Sequence, residues 1–440
     1  MLTSLLRILS ILLMPVSILI IGTGYGLYTS LIGLALCIAA NNPSVVGAFF
    51  LIFCSPVLGY IASELGYAGW GGDIVVILAL FLLMFRYPIN HLIIKCMDGF
   101  LVLLWCTYVL IFFYLTGPQS SYSTLLVILF TKTSFLSFFA FFFIFRDRRV
   151  DWEQLGIMGI YSAIIYMAFA GQIDHSILPQ SILDFGKIRI AVAGKASINP
   201  HQLAFTAVLG FMFVFAKNIR RRKNNGELFS LIICLLTSVI IVSWSGARQG
   251  IFFLIFGILL LIILCPESRT RQRIKFSLAF VLLFILVVII GSFRGFSGYQ
   301  VLMDKKSTIY KKLNRASNYE SAIMLFRQKP LLGHGLGGYY VPGTSKTGEK
   351  SYAHNFILDL LSQTGLIGSI AFFFPFIFFD RFKKRIKLLF VTINGHSALP
   401  VFSVFFLHSL VSGSFSSIGS SLALIVVLPL TSNINNYSSE

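Results

Sequence analysis

The chain has 440 residues, 57% of them hydrophobic and only 12% charged, with 45 phenylalanines, a mean hydropathy of +0.86 and a formal net charge of +19. That composition excludes a soluble globular domain. The apolar runs approach the ~20 residues that an α-helix needs to cross a bilayer and are separated by short polar turns, so helical spans fit far better than the ~10-residue alternating strands of a barrel. The expected fold is an all-α polytopic integral membrane protein with roughly 12 to 14 transmembrane helices.

In chain order, the first apolar run begins at Leu5 and is shaped like a signal peptide. Further apolar segments follow without a convincing cleavage site, so it reads as a retained first span. Cys37, Cys54, Cys96, Cys106, Cys234 and Cys265 are scattered through or beside apolar stretches with no CxxC or Cys/His spacing, the pattern of packing residues and not of a metal site or a disulfide framework. Basic clusters fall at Arg146, Arg148 and Arg149; at Lys217 and Arg220 to Lys223; at Arg269, Arg271, Arg273 and Lys275; and at Arg381, Lys383, Lys384, Arg385 and Lys387. Short basic loops stay in the cytoplasm, and two apolar segments separate successive clusters, so each cluster returns to the same side. The positive charge is thereby explained by anchoring at anionic lipid, and nucleic acid is not an expected partner.

This topology places Gln172 to Gln202, the turn Ser245 to Gln249, and Phe293 to Tyr352 outside the cytoplasm. Four segments follow from it: N-terminal helices 1–171, central helices with a basic loop and a hairpin 172–292, a large external loop 293–352, and C-terminal helices 353–440. Lys187, Arg189 and Lys195 form a basic group in the first external loop. The large loop carries ten lysines and arginines against Asp304, Glu320 and Glu349, a field that attracts an anionic ligand. Within it, Lys311 to Arg327 has helical spacing, with Leu313, Ala316, Ser317, Tyr319, Ile323, Met324 and Phe326 on an interfacial face. Pro330 ends that helix and the glycines from Gly333 to Gly338 turn the chain. Their GxGxxG spacing is not a dinucleotide fingerprint, because no strand precedes it and no βαβ unit surrounds it.

Immediately after the loop, His354-Asn355 opens the next apolar segment, followed by nine residues, Gly365, two residues and Gly368. A titratable side chain at that boundary marks a candidate site. His175, His201, His334, His396 and His408 read individually as structural, with His334 also a candidate substrate contact by its place in the loop, and Asp359, five residues beyond His354, falls on another helix face and is not positioned for a His-Asp relay. Gly365, Gly368 and Ser369 read as positions of close helix packing.

Four elements resemble the bacterial O-antigen ligase and O-antigen polymerase superfamily of membrane glycosyltransferases. They are the His354-Asn355, Gly365, Gly368 spacing; Ser245-Gly246-Ala247-Arg248-Gln249-Gly250, similar to the family's arginine at the outer end of a hairpin; Arg315 followed by a short helix and Pro330-Leu331-Leu332-Gly333-His334-Gly335-Leu336-Gly337; and Asn199-Pro200-His201-Gln202. The hairpin arginine departs from the family's Ser-Arg-Gly-Ala order, and His201 replaces an asparagine. The resemblance covers about Gly186 to Phe379 and implies a GT-C-like architecture in a bacterial inner membrane, with the site under a periplasmic loop containing short helices. It implies transfer of an undecaprenyl-pyrophosphate-linked oligosaccharide, with inversion and without a metal or cofactor, onto a sugar hydroxyl of an acceptor glycolipid. The acceptor is another lipid-linked repeat unit for a polymerase, the reading favoured here, or lipid A core for a ligase. A chain-length regulator is a further expected partner beside the bilayer itself.

The chemistry of the residues agrees with that implication. A hydroxyl must attack an anomeric carbon as a charged pyrophosphate departs, which calls for a base and for cations. His354, at a helix N-terminus and near arginines, is disfavoured from protonation and can serve as the base. Arg248 and Arg315 can hold phosphate oxygens bidentately. Lys187, Arg189, Asn355, Tyr319 and His334 complete the expected substrate contacts. A reading of another class, a transporter of the lipid-linked oligosaccharide, predicts internal repeats and cations distributed over both halves of the chain; the polar residues instead gather in the C-terminal half.

Overall fold

The computed structural model describes residues 2–54, 151–173, 178–179, 199–218, 225–247, 249–256, 315–336, 353–378, 392–393 and 396–411, with single residues between 107 and 138 and at 386. The described elements are α1 (Leu2–Leu19), α2 (Tyr25–Ala39), α3 (Pro43–Phe49) continuing as a π-helical turn (Phe50–Cys54), α4 (Trp152–Ile173), α5 (Pro200–Asn218), α6 (Asn225–Ser245), α7 (Arg315–Gln328), α8 (Phe356–Phe378), β1 (Thr392–Ile393), β2 (His396–Ser397) and α9 (Leu399–Val411). The all-helical expectation therefore needs one small amendment, a short antiparallel pairing of β1 with β2, Thr392 opposite Ser397 and Ile393 opposite His396. Among the described residues, three stretches are long and apolar enough to cross a membrane: Leu2–Leu19, Trp152–Gln172 and Phe356–Phe374. Most of the other expected spans lie outside the described residues.

The chain divides into two compact units, one holding α1 to α6 and the paired β1 and β2, the other α7 and α8; α9 runs across the boundary at Val404. In the first unit α4 is the central helix, with nearly every residue buried, and α1, α2, α3, α5 and α6 pack around it. In lipid such packing depends on close backbone approach, because the surroundings are as apolar as the side chains. Gly156 of α4 and Gly210 of α5 supply it: a Cβ on Gly210 would lie 2.8 Å from the Gly156 carbonyl oxygen and 2.9 Å from the Ile160 nitrogen. The outward faces of α1 and α2 carry Leu2, Leu5, Ile8, Leu12 and Leu19, and Tyr25, Tyr28 and Ile32, all exposed as lipid-facing residues should be.

Helix starts follow local chemistry. Asn42 precedes Pro43 and its side chain accepts from the Val45 amide at 3.1 Å; Asn199 precedes Pro200 and its Oδ1 accepts from the amides of His201 and Gln202 at 3.0 and 3.2 Å. Both are asparagine N-caps with proline where no amide hydrogen is needed. The Asn-Pro-His-Gln element is thus the start of α5, which explains the asparagine and the proline without a ligand.

One end of this unit is tied by charge. Lys217 Nζ at the end of α5 lies 2.9 Å from both Asp151 Oδ1 and Glu153 Oε2 at the start of α4, and the Arg7 guanidinium of α1 reaches Asp151 Oδ2 at 3.1 Å. Arg7 also donates to Asn41 Oδ1 at 3.4 Å, and Asn41 Nδ2 donates to Gln154 Oε1 at 3.3 Å. Burial works against the Asp151 carboxylate, but the Lys217 ammonium and its hydrogen bond, the Arg7 guanidinium and the Glu153 amide outweigh it and hold the carboxyl below its ordinary value. Asp151 and Lys217 adjoin the basic clusters at Arg146 to Arg149 and Arg220 to Lys223, which the charge pattern assigns to one side of the membrane.

Candidate functional site

The second unit brings together three of the sequence elements singled out above. α7 is described from Arg315, the first part of the helical pattern expected from Lys311 lying outside the described residues, and its inward face is Asn318, Ala322 and Leu325, at helical spacing. Ile323 and Met324, from the expected interfacial face, point outward and are exposed. Ala322 and Leu325 pack against the fully buried Ala353, with Leu358 beside them. The residue before His354 is therefore pinned to the middle of α7.

His354 itself is half-buried and has φ of 55°, the only described non-glycine residue in the left-handed region. Histidine tolerates that region better than most residues, yet a non-glycine there is uncommon and tends to mark functional positions. Asn355 follows as the N-cap of α8: its Oδ1 accepts from the amides of Ile357 and Leu358 at 3.0 and 3.2 Å, and its carbonyl from the Asp359 amide at 2.9 Å. Asp359, in the first turn, is fully buried. The order left-handed histidine, capping asparagine, helix sets the imidazole at the positive end of α8.

α8 is not one straight helix. Gly365 sits at φ 66°, ψ −167°, a conformation open essentially only to glycine. The rings of Phe356 and Phe373 have centroids 6.4 Å apart. In a continuous helix those seventeen steps would separate the residues by about 25 Å, so the chain turns through about a right angle or more at Gly365. The first leg, nine residues long, is about 13 Å and cannot cross a ~30 Å hydrocarbon core. Length and apolarity make Phe356–Phe374 look like a simple span; the backbone makes it two legs of a bend. Phe356 is further held by Phe406 of α9 at 6.0 Å, and the second leg by the Tyr108 hydroxyl, which donates to the Gly368 carbonyl at 2.6 Å.

The bend exposes helix-end groups that lipid cannot satisfy. The turn after α7 satisfies them. The Ser362 and Gln363 carbonyls, at the end of the first leg, accept from the amides of His334 and Gly335 at 3.0 and 2.9 Å; the Leu366 and Ile367 amides, at the start of the second, donate to the carbonyls of Pro330 and Leu331 at 2.8 and 3.1 Å. Gly333, at φ 68°, approaches so closely that a Cβ would strike the Gln363 backbone, and a Cβ on Gly365 would strike the Leu331 carbonyl. The Pro-Leu-Leu-Gly-His-Gly run and Gly365 are thus two halves of one junction. Gly365 was expected to permit helix packing; its neighbour is instead the backbone of a turn.

His334 closes the junction from the side. Its Nε2 lies 3.0 Å from the Leu325 carbonyl, which can only accept, so that nitrogen carries the hydrogen. Tyr319 is half-buried on α7. Arg315 is the first residue of α7, and its side chain, like all of Arg248, Lys187 and Arg189, lies outside the described residues. In the first unit the turn leading to Arg248 is described: Gly246 has φ 61°, the Ser245 hydroxyl donates to the Val242 carbonyl at 2.7 Å and accepts from the Ala247 amide at 3.1 Å. The glycine there lets α6 end and the next helix begin within a few residues.

Residues 232–373 match the family model of the O-antigen ligases. The match covers about a third of the chain, and over it the segment that carries the candidate site is similar to the O-antigen ligases. No curated protein matches the chain. The O-antigen ligase match spans the hairpin turn, α7, the Gly333 turn, His354 and both legs of α8, and begins later than the Gly186 at which the resemblance was drawn. Lys187 and Arg189 lie before it. Sequence reasoning found the motif glycines but not their mutual hydrogen bonding, since nothing in their spacing says that residues thirty apart meet.

Proposed function

We propose that the protein is an O-antigen polymerase of the bacterial inner membrane, transferring a glycan from undecaprenyl pyrophosphate to a sugar hydroxyl of another lipid-linked repeat unit on the periplasmic side. The reading rests on one observation above the others: within the O-antigen ligase match, the only non-glycine residue described in left-handed backbone is His354, held at the N-terminus of α8. An imidazole, the side chain whose ordinary charge change falls nearest neutrality, suits a residue that must take a proton near pH 7.

His354 removes the proton from the acceptor hydroxyl as its oxygen attacks the anomeric carbon. The bond to the pyrophosphate oxygen breaks on the opposite face, inverting the configuration. Arg248 and Arg315 meet the charge that grows on the departing pyrophosphate, where guanidinium forks strengthen as the reaction proceeds. Lys187 and Arg189 would steer the anionic donor, and Tyr319 and the Asn355 amide nitrogen would contact its sugars. No metal or other cofactor enters this scheme. A chain-length regulator would act on the polymer from outside the site.

The ligase reading shares every step and differs only in the acceptor. Purified protein given a lipid-linked repeat unit alone, and then with rough lipopolysaccharide, separates them. A ladder from the repeat unit alone supports the polymerase. Attachment only when lipopolysaccharide is present replaces it with the ligase, and no transfer in either case refutes both.

A further inference from the structure

The junction at Gly365 leaves one side chain whose role the chemistry above does not use. We propose that His334 is a positioning residue for the base, fastening α7 to α8 so that His354 is held at a fixed place against the helix that begins with Arg315; the inference rests on the functional reading just given. His334 is the described residue that spans the two elements by both its groups. Its backbone amide donates to the Ser362 carbonyl of α8 at 3.0 Å, while its ring donates through Nε2 to the Leu325 carbonyl of α7 at 3.0 Å. Leu325 also packs, with Ala322, on Ala353, the residue adjoining His354. One imidazole thus bridges the end of the first leg of α8 to the patch of α7 on which the approach to His354 rests.

The Leu325 carbonyl already accepts from the Lys329 amide at 3.2 Å within the helix. The ring therefore does not rescue an orphaned group. What it adds is a lateral tie between helices, made by a side chain rigid enough to fix both distance and direction. His334 was grouped with the substrate contacts on sequence grounds; a ring whose Nε2 is occupied by a backbone carbonyl fits a positioning role better.

Displacing a base by about 1 Å costs on the order of a hundredfold in rate without weakening substrate binding. The test uses the full-length protein in lipid nanodiscs with the lipid-linked repeat unit isolated from the producing cell. For His334→Ala, kcat should fall about a hundredfold, KM for the donor should stay within about twofold, and the pH at which the rate is half-maximal should not move. His334→Gln, whose amide nitrogen can reach the same carbonyl, should recover most of the rate. Amide hydrogen exchange gives an arm independent of activity: His334→Ala should speed exchange in 353–358 and His334→Gln should not. A raised KM with kcat unchanged would make His334 a substrate contact and overturn the proposal, as would unchanged exchange or a glutamine variant as slow as the alanine one. Should the wild-type protein transfer no glycan, the functional reading fails, and the exchange arm still decides whether His334 ties the helices.

Discussion

Replacing Gly365 by alanine probes the junction where its geometry is least forgiving. At φ 66°, ψ −167° a side chain costs about 1–3 kcal/mol in backbone strain alone. The added Cβ also runs into the Leu331 carbonyl, a backbone group that cannot swing aside, and overpacking of that kind costs about 1–3 kcal/mol more. The chain can escape by straightening α8. It then regains two intrahelical hydrogen bonds but forfeits the four that join Pro330, Leu331, His334 and Gly335 to the bend, a net loss of about 2 kcal/mol at ~1 kcal/mol each. The cheaper route sets the cost, so local opening becomes easier by about 2 kcal/mol, which is roughly thirtyfold in an opening equilibrium. Hydrogen exchange of the protein in detergent, followed by mass spectrometry of peptides covering 330–336 and 360–370, reads this directly. Gly365→Ala should accelerate exchange in both peptides together, because each supplies the other's partners. Acceleration in neither, or in 360–370 alone, would refute the reciprocal arrangement.

At the charged end of the first unit, Lys217→Met leaves two carboxylates whose side chains are 15% and 9% exposed without their shared cation, and should destabilise the fold by about 3–5 kcal/mol in detergent unfolding. Arg7→Gln should cost under about 1 kcal/mol, since that side chain is 37% exposed and solvent already screens it. Asp151 makes the same network pH-dependent: its folded-state pKa lies below the ordinary carboxyl value of about 4, so its contribution is complete above that pH and disappears as pH falls through the lower folded value. Unfolding midpoints measured from pH 7 down to pH 3 should therefore drop less steeply for Asp151→Asn than for wild type. Asn355→Ala removes the cap of α8 and should cost about 1 kcal/mol, with Asn355→Ser restoring most of it; equal stability of the alanine variant would contradict the capping role.

Much of this was legible from sequence, for physical reasons that differ by element. The membrane class follows from composition, and the clustering of Asp151 with Lys217 at one end agrees with the two-span rhythm of the basic clusters. The His354-Asn355 pair marked the start of α8 because residue types at a helix start carry their own signal: asparagine caps, and the histidine before it takes a backbone few residues tolerate. The bend in α8 was not legible. Phe356 to Phe374 is uniformly apolar, and a single glycine within such a stretch reads equally as a packing contact or a break. Only the carbonyls and amides of a turn thirty residues earlier distinguish the two, and main-chain partners leave little trace in side-chain patterns. α7 was found by its periodicity, and Ile323 and Met324 of the expected interfacial face are exposed; its protein-facing residues went unnoticed because Ala322 and Asn318 are too small or too polar to announce burial.

The central claim is that His354 removes the acceptor's proton. His354→Asn tests it most directly, because asparagine also accepts left-handed backbone at φ 55° and so separates chemistry from strain. With purified protein and a lipid-linked repeat unit, the account predicts that transfer falls by roughly 10² to 10⁴ while the unfolding midpoint stays at the wild-type value and unreacted donor remains. Polymer formed at the wild-type rate by this variant would contradict it.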